Sequence, residues 1–162
     1  MKKRKLILDM GAANIPYPYA THAVDLVSKH GALTDEFNAK NDYYNGEITK
    51  QRFENMLKYI DYKFNFNYNT QKLPWQNNYF DLIFSNGSIG KYGKENAFKE
   101  AYRVLKRGGK LKFTVGDTME KLHKKGQMMA DIGFIKIHLI HAGSYIYKGE
   151  KIWGGQMVAT KP

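Results

Sequence analysis

Phe80-Asp-Leu-Ile-Phe-Ser is apolar at four of six positions, with Leu82, Ile83 and Phe84 consecutive. A strand with one wet face alternates apolar and polar residues. A strand without that alternation is covered on both faces, as in a parallel sheet sandwiched between helices. One such strand in mid-chain narrows the fold to an α/β layer architecture. The flanking pattern agrees with it. Residues 5–10 and 22–27 read as strands, as do the strictly alternating 62–68 and the segment 110–115. Helices are predicted over 48–60, where Phe53, Met56, Leu57 and Ile60 recur at three and four residues, over 97–106, stopped by Gly108-Gly109, and over 117–131, capped by Asp117 or Thr118. Residues 134–140 and 156–160 have no helix between them. They read as an antiparallel pair at one edge, joined by a Gly- and Tyr-rich turn around 142–153. Residues 28–45 are polar and loop-like, and there are no internal repeats.

With 162 residues and 43% hydrophobic content, the chain is read as one domain, 1–162, with its own core. No apolar run reaches the roughly 20 residues of a membrane span, and no membrane partner is expected. Met-Lys-Lys-Arg-Lys is followed by only three apolar residues before Asp9, so it is not read as a signal peptide. The absence of cysteine excludes disulfides and thiolate metal sites and fits a reducing compartment, so a cytoplasmic location is expected. His22, His30, His123, His138 and His141 have no metal-ligand spacing, and no metal is expected. A net charge of +11 draws a protein to nucleic acid or another anionic ligand, although these lysines are scattered along the chain. Tyr17, Tyr19, Tyr43 and Tyr44 read as cover for the core rather than as a stacking platform.

Four stretches then occur in a telling order. The first is Leu6-Ile-Leu-Asp-Met-Gly-Ala-Ala-Asn, a strand ending in an acid, a glycine and small residues. The second is His22-Ala-Val-Asp-Leu, a strand ending in an acid. The third runs from Asn69-Thr-Gln-Lys-Leu-Pro-Trp to Phe80-Asp-Leu-Ile-Phe-Ser-Asn, and the fourth is Glu100-Ala-Tyr-Arg-Val-Leu-Lys-Arg-Gly-Gly-Lys-Leu. Together they resemble the class I S-adenosylmethionine-dependent methyltransferases, and the ending Gln156-Met-Val-Ala-Thr-Lys-Pro is similar to the family's last strand. The resemblance implies a Rossmann-like, mostly parallel sheet of the seven-stranded type with an antiparallel terminal hairpin. It also implies a cofactor, S-adenosyl-L-methionine, outside the carboxyl ends of the strands. By that resemblance Asp9, Gly11 and Ala12 hold the methionine part, and Asp25, with Leu26 after it, accepts from the ribose hydroxyls. Asn69 and Thr70 read the adenine, and Ser85 and Asn86 face the sulfonium end.

The departures from the family pattern are specific. Ala13 and Ile15 stand where the second and third glycines of the first motif belong. Pro16 and Pro18 forbid a helix there, since each lacks an N–H and clashes with the preceding turn. Asp25 follows Asp9 by too few residues for a helix and a strand, so the first crossover helix is expected to be replaced by an extended proline loop. The chain also begins almost on its first strand, which leaves residues 28–60 and the 142–153 turn to cover the cofactor. Strand four ends in Ser-Asn-Gly-Ser rather than Asn-Pro-Pro-Tyr, which argues against base-amino methylation in the manner of the DNA enzymes.

Three functional readings stay open at this point. The chain is a methyltransferase acting on an O or N acceptor, with no assigned catalytic residue beyond His22 and Tyr17 as candidate bases. It is a non-catalytic subunit of the same fold, which the degenerate first motif favours. Or it is a basic Rossmann-like nucleic-acid binder. Retained cofactor affinity separates the first from the third, and methyl turnover separates the first from the second. The acceptor is unknown and a macromolecule is one candidate. A second copy of the chain, another protein or nucleic acid are the candidates for closing an open site.

Overall fold

The computed structural model describes residues 4–11, 19–24, 44–46, 49–51, 54, 73–86, 89–90 and 94–162. Among them are six strands and two longer helices: β1 (Ile7–Met10), β2 (His22–Val24), β3 (Phe80–Ser85), α1 (Glu95–Val104), β4 (Leu105–Asp117), α2 (Met119–Ile132), β5 (Ile135–Tyr147) and β6 (Glu150–Thr160). The strands form one sheet in the order β2-β1-β3-β4-β6-β5. The first four are parallel; β6 runs antiparallel to β4, and β5 antiparallel to β6. This is the expected mostly parallel sheet with an antiparallel terminal pair. The strand expected at 62–68, the proline loop in place of a first crossover helix, and most of the 48–60 helix lie outside the described residues. Of that helix, Lys50, Gln51 and Glu54 are helical.

Several boundaries differ from the sequence reading. Helix α1 buries Ala97, Phe98, Ala101 and Val104, and the Phe98 ring meets Phe113 edge-on at 5.4 Å. It ends at Val104, not Lys106, because Leu105 is already extended and enters β4 directly. Gly108-Gly109 therefore does not stop the helix. The pair lies at the irregular start of β4, where Gly108 has φ +74° and a Cβ on Gly109 would stand 2.8 Å from the Lys106 carbonyl oxygen. The carbonyls at the end of α1 are met from far along the chain. The Lys161 ammonium donates to the carbonyls of Tyr102 at 2.9 Å and Leu105 at 2.8 Å, a cationic C-terminal cap. Helix α2 starts as expected, with the Thr118 side chain accepting from the Lys121 N–H, and ends on left-handed Gly133.

The terminal pair is longer than the sequence implies. Residues 142–147 continue β5 and 150–153 belong to β6, so the expected turn shrinks to Lys148-Gly149, with φ values of +51° and +82°. Two successive positive φ values match the right-handed twist of a tight hairpin. The glycines that resemble turn formers sit inside the ladder instead. A Cβ on Gly155 would overlap the Ile140 carbonyl. Tyr19 and Tyr44 do not cover the core: they are 72% and 80% exposed, on the turn before β2 and on an exposed helical turn. Tyr17 and Tyr43 lie outside the described residues.

Charge-assisted contacts fasten the amino-terminal edge of the sheet. The Arg103 guanidinium donates to both Glu100 oxygens at 2.7 and 2.8 Å and to the carbonyls of Leu73 and Trp75 at 2.8 Å. Glu100 in turn accepts the Leu73 N–H at 2.6 Å. Asp81 accepts from the Leu6 N–H at 2.8 Å and from Lys106 at 2.8 and 2.9 Å, tying β1, β3 and β4 together. Burial alone would raise the Asp81 carboxyl pKa. The hydrogen bonds from Lys106 and Leu6 and the charges of Lys106 and Lys5 outweigh it and hold the pKa below the usual value. His22 packs edge-on against Trp75, Tyr79 and Phe80, with ring centroids 5.2–5.7 Å away, and its Nδ1 lies 2.9 Å from the Thr21 hydroxyl.

Two outcomes follow from these joints. Arg103→Ala takes the guanidinium from the Glu100 carboxylate and from two backbone carbonyls, and should destabilise the fold by about 2–3 kcal/mol in urea unfolding, with Arg103→Lys recovering only part of it. Burial lowers the His22 pKa, so the folded state favours the neutral ring. The associated stability is complete above the unfolded value of about 6.5 and is lost as pH falls from there through the lowered native value. Thermal melts from pH 7.5 down to pH 5 should therefore fall less steeply for His22→Phe than for wild type.

Candidate functional site

Parallel strands β1 to β4 all point their carboxyl ends the same way, ending at Met10, Val24, Ser85 and Asp117. In an open α/β sheet this edge is where ligands collect. Asp9, one residue from the end of β1, is 1% exposed and flanked by Ala23 of β2 and Phe84 of β3. Gly11 follows with φ +83° and donates its N–H to the Val24 carbonyl at 2.7 Å, continuing the ladder between β1 and β2. A residue with a Cβ pays roughly 1–2 kcal/mol to hold that left-handed conformation. A deeply buried carboxylate beside such a turn can accept charge-assisted hydrogen bonds from a cationic group laid over the edge.

The end of β3 is built differently from the expectation. Ser85 is fully buried, and its hydroxyl accepts the Ile89 N–H at 3.1 Å, capping the helical turn that follows. Its side chain faces the same side of the sheet as Phe113, so it fixes the turn rather than facing outward from the edge. Asn86 is exposed at the rim, where its side-chain oxygen accepts from the Thr114 hydroxyl at 3.3 Å. The helical turn lies hard against β4, since a Cβ on Gly90 would overlap the Thr114 carbonyl, and Lys125 of α2 donates to the Gly90 carbonyl. Burial lowers the Lys125 pKa.

Of the residues expected at the site, the structure brings together Asp9 and Gly11 on one strand end and Ser85 and Asn86 on the neighbouring one. Ala12, Asp25, Leu26, Asn69 and Thr70 lie outside the described residues. His22 begins β2, and its ring packs beside Phe80 at the start of β3, the edge opposite the carboxyl ends. It is part of the foundation and not a base at the site; Tyr17 lies outside the described residues. Thr114 and Gly90 also belong to this edge, beyond the residues the resemblance implies. The alternation Lys110, Lys112, Thr114 carries the signal for Thr114, because it marks the polar face of an otherwise buried strand. Among the described residues no group of His, Asp or Glu is placed to hold a metal.

A family model described as a methyltransferase domain matches residues 31–113, just over half of the chain. No curated protein sequence matches it. Solved structures do. Phosphoethanolamine N-methyltransferase 2 of Haemonchus contortus, in complex with S-adenosyl-L-methionine, superposes with a TM-score of 0.61 at 15% identity; the match covers all of this chain and 50% of that one. The present chain thus spans half the length of that enzyme. A SAM-dependent methyltransferase of Thermotoga maritima gives a TM-score of 0.60 at 16% identity, covering 100% and 84% of the two chains. Geranyl diphosphate C-methyltransferase of Streptomyces coelicolor gives 0.61 at 13% identity, covering 98% and 71%. The sheet order, the acid and glycine closing β1 and the family match agree: the chain belongs to the methyltransferase domain family and has the class I S-adenosylmethionine-dependent methyltransferase fold.

Proposed function

We propose that the chain binds S-adenosyl-L-methionine along the carboxyl edge of β1, β2 and β3 and transfers its methyl group to a nitrogen or oxygen acceptor. The observation that carries the reading is the buried Asp9 carboxylate next to the left-handed Gly11 turn, at the edge where open α/β sheets collect ligands. The described part of the donor set fits the group, since the buried Asp9 carboxylate beside Gly11 suits a cationic amino group. Asp9, Gly11 and Ala12 would meet its methionine part, Asp25 and Leu26 its ribose, and Asn69 and Thr70 its adenine. Asn86 would face the reacting end, and Ser85 would act through the turn it caps.

When bound, the cofactor supplies an electrophilic methyl group on a sulfonium. What the chain must do is hold the acceptor in line with it, and alignment of this kind accounts for much of the rate in group transfer. With His22 at the opposite edge, no described side chain is placed as a base. The reading therefore favours an acceptor that already offers a lone pair at neutral pH. A cytoplasmic setting belongs to the same proposal: the chain has no cysteine, and among the described residues no helix is long and apolar enough to cross a membrane. A second reading, the same fold kept as a non-catalytic binding subunit, is favoured by Ala13, Ile15 and the two prolines in the first motif.

S-adenosylhomocysteine at millimolar concentration should raise the melting temperature of the wild type. Asp25→Ala and Asp9→Asn should each weaken binding by about tenfold or more, since a hydrogen bond to a charged group is worth roughly 1.5–3 kcal/mol. No shift in the wild type ends the proposal. A shift without transfer of labelled methyl to small-molecule, protein or RNA fractions selects the binding subunit.

A further inference from the structure

The two faces of the β4–β6–β5 half of the sheet are unlike. One face carries the core. Phe113 and Met157 are neighbours on it, the Phe98 ring of α1 meets Phe113, and a Cβ on Gly126 of α2 would stand 3.9 Å from the Met157 side chain. The register puts Lys110, Lys112 and Thr114 of β4 on the opposite face, in rows with Thr160, Val158 and Gln156 of β6 and with Ile135, His138 and Ile140 of β5. Further along, the same face carries Tyr145 opposite Ile152 and Tyr147 opposite Glu150. Ile140, Tyr145 and Tyr147 are 51%, 58% and 57% exposed, whereas Val158 and Ile152 on the central strand of this face are buried.

Charge follows the same division. Residues 105–162 hold eleven lysines and arginines against four acids, most of the chain's net charge of +11. Asp117 and Glu120 are engaged by Lys121 and Lys124 at α2. Lys110, Lys112 and His138 lie on the open face, with Lys148 at its tip over the Tyr147 ring at 5.5 Å. Glu150 is the one acid that the β4, β5 and β6 registers put on that face.

We propose that this face is a docking surface for single-stranded nucleic acid. Lysines spaced along a groove or face track the phosphates, and aromatic rings between them stack the bases, which is how strands are held without sequence readout. Tyr145 and Tyr147 are two residues apart on one strand, so they present two platforms about 7 Å apart on the same face. A duplex keeps its bases stacked, and a broad three-stranded face does not enter its major groove, which admits a helix or a two-stranded ribbon. An anionic membrane would call for cations gathered about an apolar tip. Here they run from Lys110, near the start of β4, to Lys148 at the hairpin end, and Ile146 points to the other face, opposite Lys151. The hairpin also extends past the end of β4, because Asp117 pairs with Trp153 and β6 begins three residues earlier at Glu150. A strand lying on this face therefore leads to the carboxyl edge. The docking is independent of cofactor binding and stands or falls without it.

The test is fluorescence anisotropy of the full chain with labelled single strands of about 15 mixed nucleotides, RNA and DNA, across a salt series. Binding should weaken steeply with salt. Tyr145→Ala with Tyr147→Ala should weaken it about tenfold or more at every salt. Lys110→Gln with Lys112→Gln should reduce the slope of log affinity against log salt by about 0.7 per lysine, while Lys124→Gln on α2 changes neither. Melting curves check that each variant folds, and the lysine pair carries the test if the tyrosine pair does not fold. Absence of binding, or binding indifferent to both pairs, overturns the proposal. So does preferential binding to phosphatidylserine vesicles with none to RNA or DNA, or a Tyr145-dependent dimer in light scattering without nucleic-acid binding.

Discussion

The Arg103 guanidinium is the joint on which the layers are assembled. It belongs to the last turn of α1, yet two of its hydrogen bonds reach the carbonyls of Leu73 and Trp75, and Glu100 beside it takes the N–H of Leu73. The segment ahead of β3 is thereby locked to the helix behind β3. The next residues extend the lock: Asn78 and Tyr79 donate their N–H groups to the carbonyls of Arg103 and Val104. A planar guanidinium suits this place because its donors lie in a fixed fork and reach several acceptors at once.

The two ends of the sheet are built by different means. The amino-terminal edge is held by ionic contacts between distant segments, with Asp81, Lys106, Arg103 and Lys161 each joining elements far apart in sequence. The carboxyl edge is shaped by the left-handed Gly11 turn and by close backbone approach at Gly90, and holds the buried Asp9. A rigid foundation under a site of small residues is what precise placement of a reacting group requires.

This difference also decides what the sequence shows. Features with local causes were legible: the continuous apolar run of β3, the Thr118 cap of α2, and the acid and glycine closing β1. The end of α1 was not, because its cap comes from Lys161, more than fifty residues away, while the nearby glycines gave a false stop. Asp81 looked like one residue of a motif, and its partner Leu6 is 75 positions distant. Ser85 looked like a ligand contact because nothing in its neighbours announces that its hydroxyl turns back to cap Ile89. The hairpin is longer than its sequence suggests because glycines at 143, 154 and 155 imitate a loop, although close packing of neighbouring strands is what Gly155 serves.

The place of β6 has a consequence for how the molecule is made. It is the last of the six strands to be synthesised, yet it lies between β4 and β5 and carries the buried Met157, Val158 and Ala159. Lys161, which completes α1, follows it. While a ribosome is still building residues 150–161, β4 has no antiparallel neighbour, β5 has no partner at all among the described strands, and α1 lacks its cap. The β5–β6 hairpin is local, but a pairing as distant in sequence as β4 with β6 forms late and slowly. The nascent chain therefore waits with an unpaired strand on display, and that interval, rather than the finished sheet, is where aggregation and chaperone capture compete with folding.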